Sequence, residues 1–276
     1  MSRLLFTGER LHEEDPLFAV DIVRHRAAYA YAIELAQREA SQRVLDLGCG
    51  TGYGTSQLAD AVPRTFAVDR ISPDPAARHP KVAFIRADAA HLPLESGAFD
   101  LVVSFQVIEH LEDPGPYLDA IACLLQPNGV ALLTTPNLLQ SDGENPFHVH
   151  EYEADELSTL LAGHFTDVEM LGVSAGPEPK AYYDARLRRI RSIVRLDPLG
   201  LRHRLPRWLV DSLFASLAVL VRRGIQRSDG LPSVEIGDFP ISADDPESLD
   251  LLAVCRRPLA SPRPGNARSV EVPAGA

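Results

Sequence analysis

The stretch from Val44 to Gly52 constrains the fold more than any other part of this 276-residue chain. It reads VLDLGCGTG, so apolar residues suited to a buried strand run directly into a turn with three glycines, and a helix is expected to begin at about Tyr53. Glycine tolerates positive φ and lets a backbone approach a ligand closely, and the N-terminus of a following helix offers N–H groups. The stretch therefore predicts a strand–turn–helix unit that binds a ligand at the turn.

Apolar strands alternate with helical stretches along most of the chain. A helix is predicted over 16–40, and others follow the strands. We predict strands at 43–47, 65–68, 82–86, 101–105, 130–134, 167–173 and 249–255. Several are continuous apolar runs, as expected of parallel strands buried on both faces. This order predicts an open, doubly wound α/β sheet.

The spacing of these elements predicts four regions. An N-terminal helical cap (1–40) precedes the ligand-binding core (41–173 plus 248–257). An insertion (174–247) separates the last two strands, since it is far longer than an ordinary connection. The tail (258–276) is rich in Pro, Ala and Gly and is predicted to be disordered.

Two acidic residues discriminate between possible ligands of the glycine turn. Asp69 ends the second strand, 21 residues beyond Gly48, where a carboxylate can accept both hydroxyls of a ribose. A nicotinamide-binding turn requires a further glycine where Tyr53 stands. Asp46 would repel a pyrophosphate and attract an α-amino group. The pattern favours a nucleoside that bears an amino acid, such as S-adenosylmethionine.

The chain resembles class I S-adenosylmethionine-dependent methyltransferases of the broad type-11 group. The resemblance rests on five motifs in order: VLDLGCGTG (44–52), AVD (67–69), IRADAAHLP (85–93), FDLVVSFQVIEHL (99–111) and LLQPNGVALLTTPN (124–137). It implies a Rossmann-like, doubly wound seven-stranded sheet with its last strand antiparallel. An N-terminal helix and a helical insertion before the last strand complete the expected fold.

The resemblance also implies which residues bind S-adenosyl-L-methionine. They are Gln106 and Val107 at the methionine and sulfonium side, Asp46 and Gly48 at the methionine moiety, Gly50 and Gly52 in the turn, Asp69 at the ribose, and Asp88 with Ala89 at the adenine. Two local alternatives remain. Asp69 could be a turn residue, and Asp88 could cap a helix.

Two segments are candidates for contact with the methyl acceptor. His110, with Glu109, follows the fourth strand and either shapes the acceptor site or packs beneath it. The segment NPFHVHEY (145–152) resembles the NPFH…E segment of methyltransferases associated with sugar and glycan methylation. His148 is the candidate general base, because an imidazole titrates near neutral pH, and Glu151 caps a helix or contacts substrate. His148, His150 and Glu151 show no clean ligand spacing, so no metal is predicted.

A basic segment lies inside the insertion. Residues 186–227 hold 11 arginines and two aspartates, a local charge of +9, whereas the whole chain carries −11. Three interpretations are open for its predicted helices at 185–196 and 207–223. It could be a lid over an anionic or sugar-phosphate acceptor, a peripheral membrane contact, or a charged face that packs on the acidic remainder.

Composition narrows the function further. The net negative charge and the absence of a base-methylation signature argue against nucleic acid as a partner. Three cysteines without paired spacing and no signal-peptide pattern predict a cytoplasmic protein. We expect an O-methyltransferase for a hydroxyl of a sugar, glycan or glycosylated metabolite. The alternatives are methylation of a lipophilic ring such as a quinone or polyketide, and a non-catalytic cofactor-binding protein.

Overall fold

The computed structural model describes residues 15–73, 78–89, 91–141, 145, 147–194, 224, 230–243 and 245–259. Within them the strands are β1 (Arg43–Leu47), β2 (Arg64–Asp69), β3 (Val82–Arg86), β4 (Phe99–Phe105), β5 (Leu125–Pro136), β6 (Phe165–Val173), β7 (Ile241–Ser242) and β8 (Asp250–Pro258). The helices are α1 (Ala19–Arg38), α2 (Tyr53–Ala61), α3 (Gly115–Leu124), α4 (Ala154–Ala162) and α5 (Pro177–Val194).

The described strands form one mixed sheet in the order β3–β2–β1–β4–β5–β8–β6–β7. The first five pair in parallel, and β8 runs antiparallel between β5 and β6. The Rossmann-like α/β architecture with an antiparallel last strand is therefore confirmed. The predicted count of seven strands is wrong by one. The additional strand, β7, has only two residues and pairs with Gly172 and Val173, so it is too short to show a periodic pattern.

Helices cover both faces of the sheet. Buried side chains of α1 and α2, such as Leu35 and Leu58, share one apolar cluster with Val44 of β1. Those of α3 and α4 form a second cluster with Leu45 and Leu47. Because side chains alternate along a strand, Asp46 points with Val44 toward α1 and α2. This alternation decides where the Asp46 carboxylate lies.

The α5 helix joins the insertion to the α1 face of the sheet. Tyr182, Tyr183 and Ile190 belong to the same apolar cluster as α1. The Tyr183 hydroxyl donates to Asp21 Oδ1 at 3.0 Å, and Arg186 Nη1 lies 3.2 Å from the same oxygen. Arg186, the first arginine of the basic segment, thus forms an ion pair with Asp21 of the same chain.

The rest of the basic segment is only partly described. Residues 195–223 and 225–229, with the predicted helix at 207–223, lie outside the described residues, as do residues 260–276 of the predicted tail. The division into four regions therefore stays a prediction. Among the described residues, no helix has both the length and the apolar character needed to cross a membrane.

Candidate active site

A cavity of about 570 Å³ opens at the carboxyl ends of β1, β2, β3 and β4. Open α/β sheets bind ligands at this edge, and the volume lies within the range of small-molecule sites. Most of the predicted site residues line it: Gly48, Gly50, Asp69, Asp88, Ala89, Gln106, Val107 and His110. Four do not: Asp46, Gly52, His148 and Glu151.

The glycine turn forms the floor of the cavity. Gly48, Gly50 and Gly52 have φ values of +88°, +56° and +88°, a region that L side chains rarely adopt. A Cβ on Gly48 would lie 2.3 Å from Val107 Cγ2, so the turn and the end of β4 touch. Gly52 is the residue that caps α2, which explains why it shapes the turn without reaching the cavity.

The carboxylate of Asp69 is held by the turn itself. Its Oδ2 accepts the Gly50 N–H at 2.9 Å, and its Oδ1 accepts the Ile71 N–H at 2.8 Å. Each oxygen keeps a further lone pair, so the group can still accept ribose hydroxyls. Asp88 and Ala89 follow β3 on the same side of the cavity. This arrangement suits a nucleoside.

Asp46, which is predicted to hold the methionine moiety, does not line the cavity itself. It is fully buried on the α1 side of β1, where Thr55 Oγ1 donates to Oδ2 at 2.5 Å and the Tyr29 hydroxyl lies 3.2 Å away. Burial raises its pKa to about 7, although both hydroxyls favour the ionised form. Tyr29 does line the cavity, so its hydroxyl group connects Asp46 to the cavity wall.

Gln106 and Val107 follow β4 and line the cavity next to the glycine turn. Gln106 has a φ of +57°, which is uncommon for a residue with a side chain. Its backbone N–H donates to the Thr134 carbonyl at 2.9 Å, and its side chain hydrogen-bonds Asp250, which pairs with Arg24 at 2.9 Å. These contacts from β5, β8 and α1 hold a backbone conformation that costs about 1–3 kcal/mol.

Two histidines meet at the other end of the cavity. His110 lines it, whereas His148 packs against His110 from behind, with ring centroids 5.2 Å apart. His110 Nδ1 lies 3.0 Å from the Phe147 carbonyl oxygen, which can only accept, so Nδ1 carries the proton. His148 Nδ1 lies 2.5 Å from Glu151 Oε1, and its Nε2 lies 2.8 Å from Asn145 Nδ2. Both imidazoles therefore keep the lone pair on Nε2.

Glu151 supports His148 and does not reach the cavity. Burial opposes its ionisation, but hydrogen bonds from His148 and Ser141 outweigh burial and lower its pKa. The ionised carboxylate orients the imidazole and fixes its tautomer. Glu151 is thus placed to position His148. It does not cap the following helix, whose N-cap is Glu153, and its predicted contact with substrate stays a prediction.

A buried carboxylate, Glu109, completes this group. Thr135 Oγ1 donates to Glu109 Oε2 at 3.2 Å, and burial raises the Glu109 pKa to about 7. The Glu109 carbonyl accepts the N–H groups of Val149 and His150 at 2.7 and 3.2 Å, which fixes the 147–151 segment against this turn. Ligand atoms of Glu109, His110 and His148 lie within 4.8 Å of one another and could hold a metal ion.

Two apolar residues form a rim at this end of the cavity, and the sequence analysis did not predict them. Phe147 and Val149 line the cavity beside His110, and Val149 is 42% exposed. They alternate with His148 in the NPFHVHEY segment. Phe147 lies in a turn and Val149 in a bend, so the alternation of side chains in a strand does not apply, and no pattern in the sequence assigns these two residues to the cavity.

A family profile described as a methyltransferase domain matches residues 22–171, which is more than half of the chain. This chain belongs to the methyltransferase-domain family. Like its relatives below, the methyltransferase uses S-adenosylmethionine. The cavity fits that cofactor, because Asp69 suits the ribose and the glycine turn leaves room for a close approach of the backbone.

Similar proteins support the same assignment. Two probable S-adenosylmethionine-dependent methyltransferases of Mycobacterium tuberculosis, from strains H37Rv and CDC 1551 / Oshkosh, are each 33% identical over 270 residues, covering 92% of this chain and 90% of the relative. A ubiquinone biosynthesis O-methyltransferase of Rhodopseudomonas palustris (strain HaA2) is 36% identical over 106 residues, 34% of this chain and 40% of that protein.

A solved structure shares the fold across most of the chain. It is a methyltransferase of Thermotoga maritima described as a possible histamine N-methyltransferase, with a TM-score of 0.55 and 14% identity. The match covers 91% of this chain and 98% of the other. At this identity the likeness concerns the fold alone.

Proposed function

We propose that this methyltransferase transfers the methyl group of S-adenosylmethionine to a hydroxyl oxygen. The observation that carries the proposal is the group of Glu109, His110 and His148 at the end of the cavity away from Asp69. A hydroxyl is a weak nucleophile until it loses its proton, so its methylation calls for groups that make this loss easier. Amine acceptors with a free lone pair do not need them.

The bound cofactor supplies a methyl group on a sulfonium, whose departure leaves a neutral sulfide. The acceptor oxygen forms a bond to the methyl carbon as the carbon–sulfur bond breaks, and the hydroxyl proton leaves to the surrounding groups or water. Because the leaving group is stable, alignment supplies much of the rate. The protein's tasks are to hold the cofactor, exclude water and make the acceptor oxygen nucleophilic.

His110 takes the place nearest to the acceptor in this proposal. It lines the cavity with the lone pair on Nε2, whereas His148, the base predicted from the sequence, acts from behind it with Glu151. Replacing His148 with alanine is expected to lower methyl transfer and leave cofactor binding intact. An His148→Ala protein that keeps full turnover would remove His148 from the chemistry.

The acceptor is expected to be a sugar, glycan or glycosylated metabolite, on the resemblance of the NPFH…E segment. A lipophilic ring is the second candidate. It is favoured by the apolar rim of Phe147 and Val149 and by the relatives described as ubiquinone biosynthesis O-methyltransferases. Both candidates present a hydroxyl to the same end of the cavity.

An incubation with cofactor that carries a deuterated methyl group tests the proposal. Purified protein is added to two fractions of a host extract, one with polar glycans and glycolipids and one with quinols and phenolic lipids. Mass spectrometry then locates the label. We expect it on an oxygen atom, and the labelled fraction decides between the acceptors. Label on nitrogen or carbon alone would contradict the proposal.

A further inference from the structure

We propose that Glu109, His110 and His148 bind one divalent transition-metal ion beside the acceptor. The inference deepens the proposed function, since it names the means by which this group assists loss of the hydroxyl proton. The binding site itself can be tested without any acceptor.

The fold brings the three side chains together from two segments. Glu109 and His110 lie on a single 3-10 turn (Ile108–His110) after β4, and His148 lies 38 residues further along the chain. Backbone hydrogen bonds from Val149 and His150 to the Glu109 carbonyl fix the second segment against the first. Potential ligand atoms of the three side chains consequently lie within 4.8 Å of one another.

Both imidazoles are oriented as metal ligands usually are. A histidine that binds a metal through one nitrogen commonly donates the other N–H to a carboxylate or a backbone carbonyl. Here His148 Nδ1 meets Glu151 Oε1 at 2.5 Å, and His110 Nδ1 meets the Phe147 carbonyl at 3.0 Å. Each contact fixes the proton on Nδ1, so Nε2 is the ring nitrogen that would bind a metal, and for His148 the ion would replace the Asn145 amide.

Glu109 provides an independent observation that points to a cation site. It is 0% exposed, and its Oε1 has no hydrogen-bond partner among the described residues. A buried carboxylate oxygen without a hydrogen-bond partner is costly, because the ionised group has lost its contacts with water. A bound cation would compensate this oxygen, while Thr135 holds Oε2 at 3.2 Å.

The donor set indicates the class of ion. Two imidazoles and one carboxylate suit Zn²⁺, Co²⁺ or Fe²⁺, whereas Mg²⁺ prefers oxygen ligands alone. Bonds of about 2.1 Å in tetrahedral geometry separate ligand atoms by roughly 3.4 Å. Binding would therefore draw the three groups closer together. Three protein ligands leave a position open, where an acceptor hydroxyl would have a lowered pKa.

Titration of the chelator-treated, full-length protein with Co²⁺ tests the inference, because cobalt bound to nitrogen and oxygen ligands absorbs visible light. Calorimetry with Zn²⁺ supplies the affinity. We expect one ion per chain, and at least tenfold weaker binding in Glu109→Gln and in His148→Ala. Glu151→Gln, which removes the charge that orients His148, should weaken binding about tenfold or more.

His164→Ala is the matched control, since His164 Nδ1 pairs with Asp119 at 2.9 Å, outside the group of three. Circular dichroism checks that each variant folds, and His148→Ala keeps the test decisive if Glu109→Gln does not fold. Absence of binding to the wild type at millimolar metal would overturn the inference. Equal binding by wild type and His148→Ala would overturn it as well.

The outcomes separate this inference from the proposed function. Methyl transfer to oxygen that persists in the chelator-treated protein, together with no metal binding, would refute the metal site and leave the hydroxyl acceptor in place. One bound ion that depends on His148, with label found only on nitrogen, would support the metal site and contradict the hydroxyl acceptor.

Discussion

At the scale of single residues, Asp46 shows how burial and charge compete in this site. The carboxylate is 0% exposed and accepts hydrogen bonds from Thr55 and Tyr29, yet burial still raises its pKa to about 7. An ionised Asp46 is thus a cost to the folded state at neutral pH. Asp46 lies two residues before Gly48 of the cavity floor, and we propose that this cost serves cofactor binding.

The first prediction concerns the stability of Asp46→Asn. The acid has a higher pKa folded than unfolded, where it is about 3.9, so the folded state holds its proton more tightly. Wild-type stability relative to the variant should therefore fall as pH rises from about 4 to about 7, by up to about 1.4 kcal/mol per pH unit, and stay level above. Urea unfolding at several pH values measures the difference. A difference independent of pH would contradict the raised pKa.

The same variant addresses the predicted contact of Asp46 with the methionine moiety. We expect weaker cofactor binding in calorimetry, because the variant lacks a negative charge near the cationic α-amino group. An unchanged affinity for the cofactor would contradict this contact and would leave Asp46 with a structural role alone.

Gly48 carries a second prediction at this scale. Gly48→Ala places a Cβ 2.3 Å from Val107 Cγ2 at a φ of +88°. Left-handed backbone costs about 1–2 kcal/mol in an L residue, and overpacking adds about 1–3 kcal/mol. We expect a lower free energy of unfolding and a loss of cofactor binding. Gly237→Ala is the control, since a Cβ there meets nothing within 4 Å and should change stability by less than about 0.5 kcal/mol.

At the scale of elements, a buried polar network joins α5 to α1. Asp21 of α1 accepts hydrogen bonds from Tyr183 and Arg186 of α5, and Arg24 pairs with Asp250 of β8 at 2.9 Å. α1 also contributes Tyr29 to the cavity. α5 is therefore tied to the helix that contributes Tyr29 to the cavity.

Arg186→Met tests this connection. The change leaves the Asp21 carboxylate, whose side chain is 3% exposed, with fewer donors. We expect a loss of about 1–3 kcal/mol in the free energy of unfolding, measured in urea. Arg188→Met is the control, because Arg188 is exposed on the same helix and should change stability by less than about 0.5 kcal/mol. Equal effects of the two changes would contradict the network.

Hydrophobic patterns in the sequence predicted where the helices and strands lie along the chain, but they did not predict the residues at which these elements begin and end. The fifth strand was predicted over 130–134 and spans Leu125–Pro136, because pairing of Leu125 with Phe99 extends the sheet through polar residues. Local patterns cannot show such pairing. The histidine group illustrates the same limit. Glu109 and His148 were each noticed in the sequence, but their segments are brought together by the hydrogen bonds of Val149 and His150 to the Glu109 carbonyl and of His110 to the Phe147 carbonyl.

At the scale of the whole molecule, the sheet explains why most of the cofactor-binding residues predicted from the motifs line a single cavity. The motifs end parallel strands, and parallel strands share one carboxyl edge, so Gly48, Asp69, Asp88 and Gln106 necessarily meet there. Asp46 departs because it lies within β1, where its direction depends on strand alternation. The acceptor end depends on a loop, which no general rule of the fold positions.

The three interpretations of the arginine-rich segment (186–227) remain open, and the structure adds one observation. Arg186 is engaged by Asp21, which supports packing for that residue. If the other arginines contact an anionic acceptor, added salt should weaken acceptor binding more than cofactor binding, because exposed charges are screened. Equal salt dependence of the two affinities would argue against a lid.

The central claim is that the cavity end bearing His110 handles the acceptor and not the cofactor. Its most direct test is His110→Ala, assayed by calorimetry for cofactor affinity and by transfer of labelled methyl groups to the host extract. We predict a cofactor Kd within about twofold of wild type and transfer reduced about 100-fold or more. Unchanged transfer, or a loss of cofactor binding that accounts for the whole reduction, would contradict the claim.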